Sequence, residues 1–182
     1  MESFIAFIFA YMMFFIFMWA MAQHCGVPDR LTDVYYQLEK RKSGWVFSLL
    51  LFLVAISTGV ALCDLREAYN NILFAGLGSF GLLFLALILR LFEKQFLYRL
   101  RNVGVIMSFV CLGGWCINAC PYPTFVLGGL FVLYLICIDI AKRANRMWHI
   151  EQNCPRFHPW YWAGVASLLD VFATYIIARM FL

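Results

Sequence analysis

The most informative polar residue in the sequence is Asp170, which lies near the middle of the last long apolar segment. A carboxylate at the centre of a bilayer costs about 3 kcal/mol even on the mild translocon scale, so something must hold it there. Ala163, Ser167, Asp170 and Thr174 are spaced to share one helix face. The pattern predicts a protonatable or cation-binding carboxylate, with Ser167 and Thr174 beside it, that faces a cavity in a helical bundle. The alternative is a structural carboxyl that ties this helix to a neighbour.

A second group of chemically competent residues lies before the last apolar segment: His149, Glu151, Cys154 and His158. All four are metal-ligand types and would suit a zinc or iron site. Their spacing matches none of the closed zinc patterns, and the two prolines among them are typical of an ordinary compact loop. We therefore predict a solvated loop, with no metal and no cofactor.

Two other polar features have simple explanations. Asp139 precedes Lys142 and Arg143 by three and four residues, so a local ion pair on a helix accounts for it without a site. Cys63 and Cys120 end two apolar segments on what we predict to be the same outer face, where an oxidising compartment could join them as a disulfide. Free thiols packed as small apolar residues are the favoured alternative.

The composition requires a membrane. The 182 residues are 64% hydrophobic and 13% charged, so a soluble core cannot bury the apolar side chains. The net charge of +4 does not indicate nucleic acid, because the charges lie between the apolar segments, where they report membrane topology. We predict an all-α integral membrane bundle that forms one domain, residues 1–182.

Six transmembrane helices are predicted from the apolar segments, near 3–22, 45–63, 72–92, 104–120, 124–141 and 160–182. Between the first two, Leu31, Val34, Tyr35 and Leu38 recur at helical spacing. They predict a short amphipathic helix, either in the membrane interface or in an ordinary cytoplasmic loop. The first span has few small residues, so we expect it at the periphery, facing lipid or a second copy of the chain.

The orientation follows from the basic residues. With six spans, twelve of the 14 Lys and Arg residues lie in the loops after the first, third and fifth spans or, for Arg90, in the last turn before such a loop. The positive-inside rule then places these three loops in the cytoplasm and both termini outside.

The segment from Val27 to Glu39, followed by Trp45, resembles one found after the first span in uncharacterised small polytopic membrane proteins of bacteria and their phages. The shared pattern there is roughly Pro-x-Ser-x-Ser-x-Thr-Tyr-Tyr, and here Pro28, Tyr35 and Tyr36 match it. This chain departs from it at Arg30, Thr32 and Val34. The resemblance implies a bacterial or phage membrane protein and implies no activity. We expect the protein in the bacterial inner membrane.

Three functions compete on the sequence alone. The first is a channel- or transporter-like permeation protein in which Asp170 lines the path. The second is a non-catalytic scaffold that binds a membrane-protein partner and needs no cavity at Asp170. The third is a membrane enzyme with a metal at His149, Glu151, Cys154 and His158. Nucleotide-binding and common hydrolase motifs are missing from the sequence, so we favour the first over an enzyme.

Overall fold

The computed structural model describes residues 2–65, 72–91, 96–147 and 158–181. Within these ranges the chain folds into seven helices joined by short connections. They are α1 (Glu2–Cys25), α2 (Asp33–Glu39), α3 (Gly44–Asp64), α4 (Ile72–Leu91), α5 (Phe96–Ala119), α6 (Pro121–Met147) and α7 (Pro159–Met180). The prediction of an apolar, all-helical protein is confirmed for the described residues.

Five of the described helices, α1, α3, α5, α6 and α7, are long and apolar enough to cross a membrane. The apolar part of α4, Leu73–Ile88, is shorter than these five spans. The sixth crossing therefore stays a prediction. The predicted gap between the fourth and fifth spans, residues 121–123, is narrower than expected, because Cys120 alone separates α5 from α6. Pro121 and Pro123 both lie in the first turn of α6, where a missing N–H costs nothing.

Aromatic side chains of α1 and α7 form one part of the core. Phe7, Tyr11 and Phe14 on α1 are fully buried, and the rings of Phe7 and Tyr11 pack against Phe172, with Phe7 also against Tyr175. Spacings of three and four residues put these α1 side chains on one face. The opposite face of α1 is exposed, as expected for a peripheral helix, but its buried face belongs to the core. The most exposed of the five long helices is α6.

Helices α4 and α5 approach each other through small residues. A Cβ atom added at Gly81 would lie 2.8 Å from the backbone nitrogen of Ser108, and one added at Gly78 would lie 2.6 Å from the Leu112 side chain. Because apolar burial gains little between helices in lipid, such close backbone approach is a main source of their association. The glycines of this pair thus set the position of α5, which carries part of the site described below.

Candidate functional site

Asp170 lies at the middle of α7 and is buried, with 7% of its surface exposed. Its carboxylate accepts a hydrogen bond from the hydroxyl of Thr124, whose Oγ1 is 2.9 Å from Oδ2 and 3.2 Å from Oδ1. A hydrogen bond to a buried carboxylate offsets part of the cost of removing it from water. The structural alternative, a carboxyl tied to a hydroxyl of a neighbouring helix, is therefore present in the structure.

Thr124 belongs to the first turn of α6, three residues after Pro121. Asp170 is eleven residues from the start of α7, or about 16 Å along the helix axis. The contact between them means that α6 begins next to the middle of α7, deep within the bundle. The N-terminal end of α6, with its unpaired backbone N–H groups, thus lies near the carboxylate.

Two further side chains complete the surroundings of the carboxylate, Cys116 on α5 and Thr174 one turn later on α7. Both are fully buried. The Thr174 oxygen Oγ1 has no partner in regular hydrogen-bond geometry among the described residues. On this side the bundle is closed, because Tyr11 and Thr58, joined by a hydrogen bond of 2.9 Å, are also fully buried.

On its other side Asp170 borders a cavity of about 720 Å³. Ser167 and Thr124 line it near the carboxylate, and Ser108, Arg30 and Asn102 line it as well. Arg30 and Asp170 are the two ionisable side chains on the lining that the structure describes. The remaining walls are mostly apolar and come from α3, α4, α5, α6 and α7, with Leu51, Leu82, Leu85, Leu112, Leu127 and Phe131 among them.

The cavity opens between α5 and α6. On α5 the lining residues Val105, Ile106, Phe109 and Val110 are exposed. On α6 the lining residue Gly128 is exposed, and a Cβ added there would meet nothing within 4 Å. In a membrane such an opening faces the hydrocarbon of the bilayer.

The predicted partners of Asp170 have different environments. Ser167 lines the cavity, but its hydroxyl donates to the carbonyl of Gly164 in the same helix, at 2.8 Å. Thr174 lies beside the carboxylate without reaching the cavity. Sequence reasoning missed Thr124 and Cys116, because their proximity to Asp170 depends on how three helices pack and leaves no signal in the local pattern.

A segment that we call the strap, residues 26–43, closes one end of the bundle. Its helix α2 buries Val34, Tyr35 and Leu38, as the periodicity predicts, and these side chains face the bundle. Leu31, the fourth predicted residue, packs on Gly164 of α7, where an added Cβ would lie 3.0 Å from the Leu31 Cβ. The apolar face of α2 is thus part of the protein core.

Two polar contacts, one of them an ion pair, fasten the strap to helices α5 and α7. Asp33 on α2 bonds to Arg101 of α5, with Oδ1 and Nη1 3.1 Å apart, and Arg101 is almost completely buried. Asp29 Oδ1 lies 2.9 Å from Nδ1 of His158, just before α7. Arg30, Leu31 and Thr32 of the strap line the cavity, so the strap forms its wall at this end.

The other predicted features are less closely connected to this site. Asp139 is exposed and forms the expected local ion pair with Arg143, with Oδ2 and Nη2 2.7 Å apart. His149, Glu151 and Cys154 lie outside the described residues, and His158 contacts the strap as stated above. In the described ranges no group of three His, Cys, Asp or Glu side chains could hold a metal ion.

The predicted disulfide is not formed. Cys63 and Cys120 are both free thiols in the structure. Cys63 ends α3 at its last turn, whereas Cys120 follows α5 directly and precedes the deep start of α6. The prediction of a disulfide assumed that all spans end at the same depth in the membrane. The contact between Thr124 and Asp170 contradicts this assumption for α6.

The fold and the site together define an apolar helical bundle of the kind found in integral membrane proteins, with a buried carboxylate beside an apolar cavity. Comparison adds no family to this class: no protein-family model, no curated protein and no solved structure matches the chain. The resemblance of the Val27 to Glu39 segment to small membrane proteins of bacteria and phages stays a prediction.

Proposed function

We propose that this chain is a small carrier-like permeation protein that takes a cation or a proton donor into the cavity and holds it at Asp170. The observation that carries the proposal is the position of Asp170, which is buried at mid-helix and yet borders a cavity of about 720 Å³. Buried carboxylates in membrane segments are costly and commonly serve ion or proton pathways.

A carrier fits better than an open channel. The cavity ends at Asp170, and beyond it Tyr11, Thr58, Cys116 and Thr174 are fully buried and packed together. A cavity that ends at a binding group near mid-membrane requires a conformational change to release its ligand on the other side, as alternating access does. The Thr124 hydroxyl is a local switch for such a change, because a hydrogen-bond donor on the ligand competes with it for the Asp170 carboxylate.

The competing functions receive less support. A scaffold has no use for a cavity beside Asp170, so the cavity favours permeation. The enzyme hypothesis depended on four loop residues, of which His158 pairs with Asp29 in the strap. We further propose the bacterial inner membrane as the location, with both termini outside and the basic loops in the cytoplasm, on the basis of the positive-inside rule.

Flux measurements in proteoliposomes test the proposal. We would follow protons with trapped pyranine, K⁺ with an electrode, and ethidium by its fluorescence on trapped DNA. At least one flux should exceed that of empty liposomes, and Asp170→Asn or Asp170→Ala should lower it at least tenfold because the charge at the end of the cavity is lost.

Asp139→Asn is the matched control, since it makes the same chemical change at an exposed acid outside the cavity. Its flux should equal that of the wild type. Wild-type fluxes equal to those of empty liposomes, or equal fluxes in all Asp170 variants, would overturn the proposed function.

A further inference from the structure

We infer that the ligand class of the cavity is a lipophilic organic cation, a molecule with one positive charge on an apolar body. This inference rests on the proposed function and names the chemistry of its substrate. It follows from the walls, the charges, the opening and the size of the cavity.

The apolar walls exclude small hydrated ions as the best ligands. A metal or alkali ion needs about six oxygen ligands or retained water, whereas a single carboxylate and a few hydroxyls border this cavity. A cation with an apolar body instead places its own apolar surface against the leucine and phenylalanine side chains of the wall. The ligand that matches these walls therefore carries little water into the bundle.

The charged residues that line the cavity favour a ligand with a single positive charge, which lies at the Asp170 end of the cavity. Asp170 supplies one negative charge, and in a low-dielectric site its attraction for an unhydrated cation is strong. Arg30 lies in the strap beside Leu31, which touches Gly164, six residues before Asp170 on α7. A positive group on the ligand therefore gains most beside Asp170, the one acidic side chain on the lining that the structure describes. A second positive charge on the ligand would remain unpaired.

The opening between α5 and α6 gives such a ligand a route from the bilayer. Its edges are the exposed apolar residues Val105, Ile106, Phe109 and Val110. Lipophilic cations concentrate at the membrane interface, as other amphipathic molecules do. Such cations can enter the cavity laterally from the bilayer, apolar body first, and do not need to pass the strap.

The size and the aromatic residues fit the same class. A volume of about 720 Å³ falls within the usual range of about 300 to 1,000 Å³ for pockets that hold organic ligands. Phe47, Phe109, Phe131 and Trp160 contribute rings to the lining, and aromatic faces attract organic cations. An aromatic monocation is thus the best-matched probe.

The test uses tetraphenylphosphonium binding to the full chain in lipid nanodiscs, measured by calorimetry. The wild type should bind this cation at least tenfold more tightly than its neutral analogue triphenylphosphine oxide. Asp170→Asn should remove that preference, while Asp139→Asn keeps it. An excess of Na⁺ or K⁺ should not displace the probe.

Gly128 and Gly129 supply a matched pair that does not alter the carboxylate. An added Cβ meets nothing within 4 Å at either position, but Gly128 lines the cavity and Gly129 does not. Gly128→Phe should fill the cavity and weaken tetraphenylphosphonium binding at least tenfold. Gly129→Phe should leave binding within about twofold of the wild type, because Gly129 is not part of the cavity lining.

The outcomes separate this inference from the proposed function. Equal binding of cation and neutral analogue, equal binding to Asp170→Asn, or equal binding to both glycine variants would overturn the ligand class. Proton or K⁺ flux that depends on Asp170, without tetraphenylphosphonium binding, would overturn the class and leave the proposed function standing. Binding that depends on Asp170 without any flux would support the class and overturn transport.

Discussion

At the scale of single residues, the site is a carboxylate with one well-placed hydrogen-bond donor. The sequence predicts Asp170 because a charge within an apolar segment is visible without any structure. It cannot predict Thr124, which is an unremarkable residue at the start of another apolar segment. Ser167 shows the converse limit: its spacing from Asp170 is correct, yet its hydroxyl satisfies a backbone carbonyl and does not reach the carboxylate.

Thr124 offers a test of how the carboxylate is held. Thr124→Val removes the hydroxyl while keeping the shape of the side chain, so the bond to Asp170 is lost and the carboxylate stays buried. Losing a hydrogen bond to a charged group costs about 1.5–3 kcal/mol. We expect Thr124→Val to lower the thermal unfolding midpoint in detergent.

Thr124→Ser is the control for this substitution, because it retains the donor and removes one methyl group. Its unfolding midpoint should stay near that of the wild type. Equal losses for Val and Ser would show that the methyl packing of Thr124, and not its hydrogen bond, holds α6 against α7.

At the scale of elements, hydrophobic length and periodicity are enough to predict most helices. They predict α2 and the side chains that it buries, since Val34, Tyr35 and Leu38 fall on one face. They do not predict that α2 faces the bundle, which depends on Asp33 meeting Arg101 and on Leu31 meeting Gly164. The depth at which α6 begins is equally hidden, because a proline pair marks a helix start and says nothing of its level in the membrane.

The pairing of α4 with α5 depends on Gly81. An added Cβ at this position would lie 2.8 Å from the Ser108 nitrogen and 3.2 Å from the Gly104 oxygen, and these backbone atoms cannot move without separating the helices. We expect Gly81→Ala to destabilise the bundle by about 1–3 kcal/mol, the usual cost of overpacking. Chemical denaturation in detergent micelles measures the change.

Gly76 on the same helix is the matched control. An added Cβ there meets nothing within 4 Å, so Gly76→Ala introduces no clash. It should leave stability unchanged or raise it by up to about 1 kcal/mol, because alanine favours a helix more than glycine. A stability loss at Gly76 as large as that at Gly81 would contradict the role of close α4–α5 packing.

At the scale of the whole molecule, contacts between helix ends show how the described helices alternate. Ser3 bonds to Asp64, and Phe4 packs against Tyr175, so both chain ends lie at the end of the bundle where α3 finishes. Arg101 bonds to the strap, at the opposite end. The chain must pass from Asp64 to Arg101, and α4 with its 20 residues is about 30 Å long, enough to cross the hydrocarbon core. We propose on this basis that α4 makes the sixth crossing.

The orientation in the membrane can be tested by labelling single cysteines with a membrane-impermeant maleimide in spheroplasts, starting from a cysteine-free chain. Cys63, restored alone, and Phe181→Cys report the end of the bundle near both termini, and both positions are exposed. Arg41→Cys and Arg143→Cys report the basic end. We expect the first two to react in intact spheroplasts and the last two only after permeabilisation, because basic loops stay in the cytoplasm. Six crossings put Phe181→Cys and Arg41→Cys on opposite sides of the membrane, so labelling of both from the same side would refute six crossings. Labelling with the two sides exchanged would reverse the orientation of the protein and the side from which the cavity reaches Asp170.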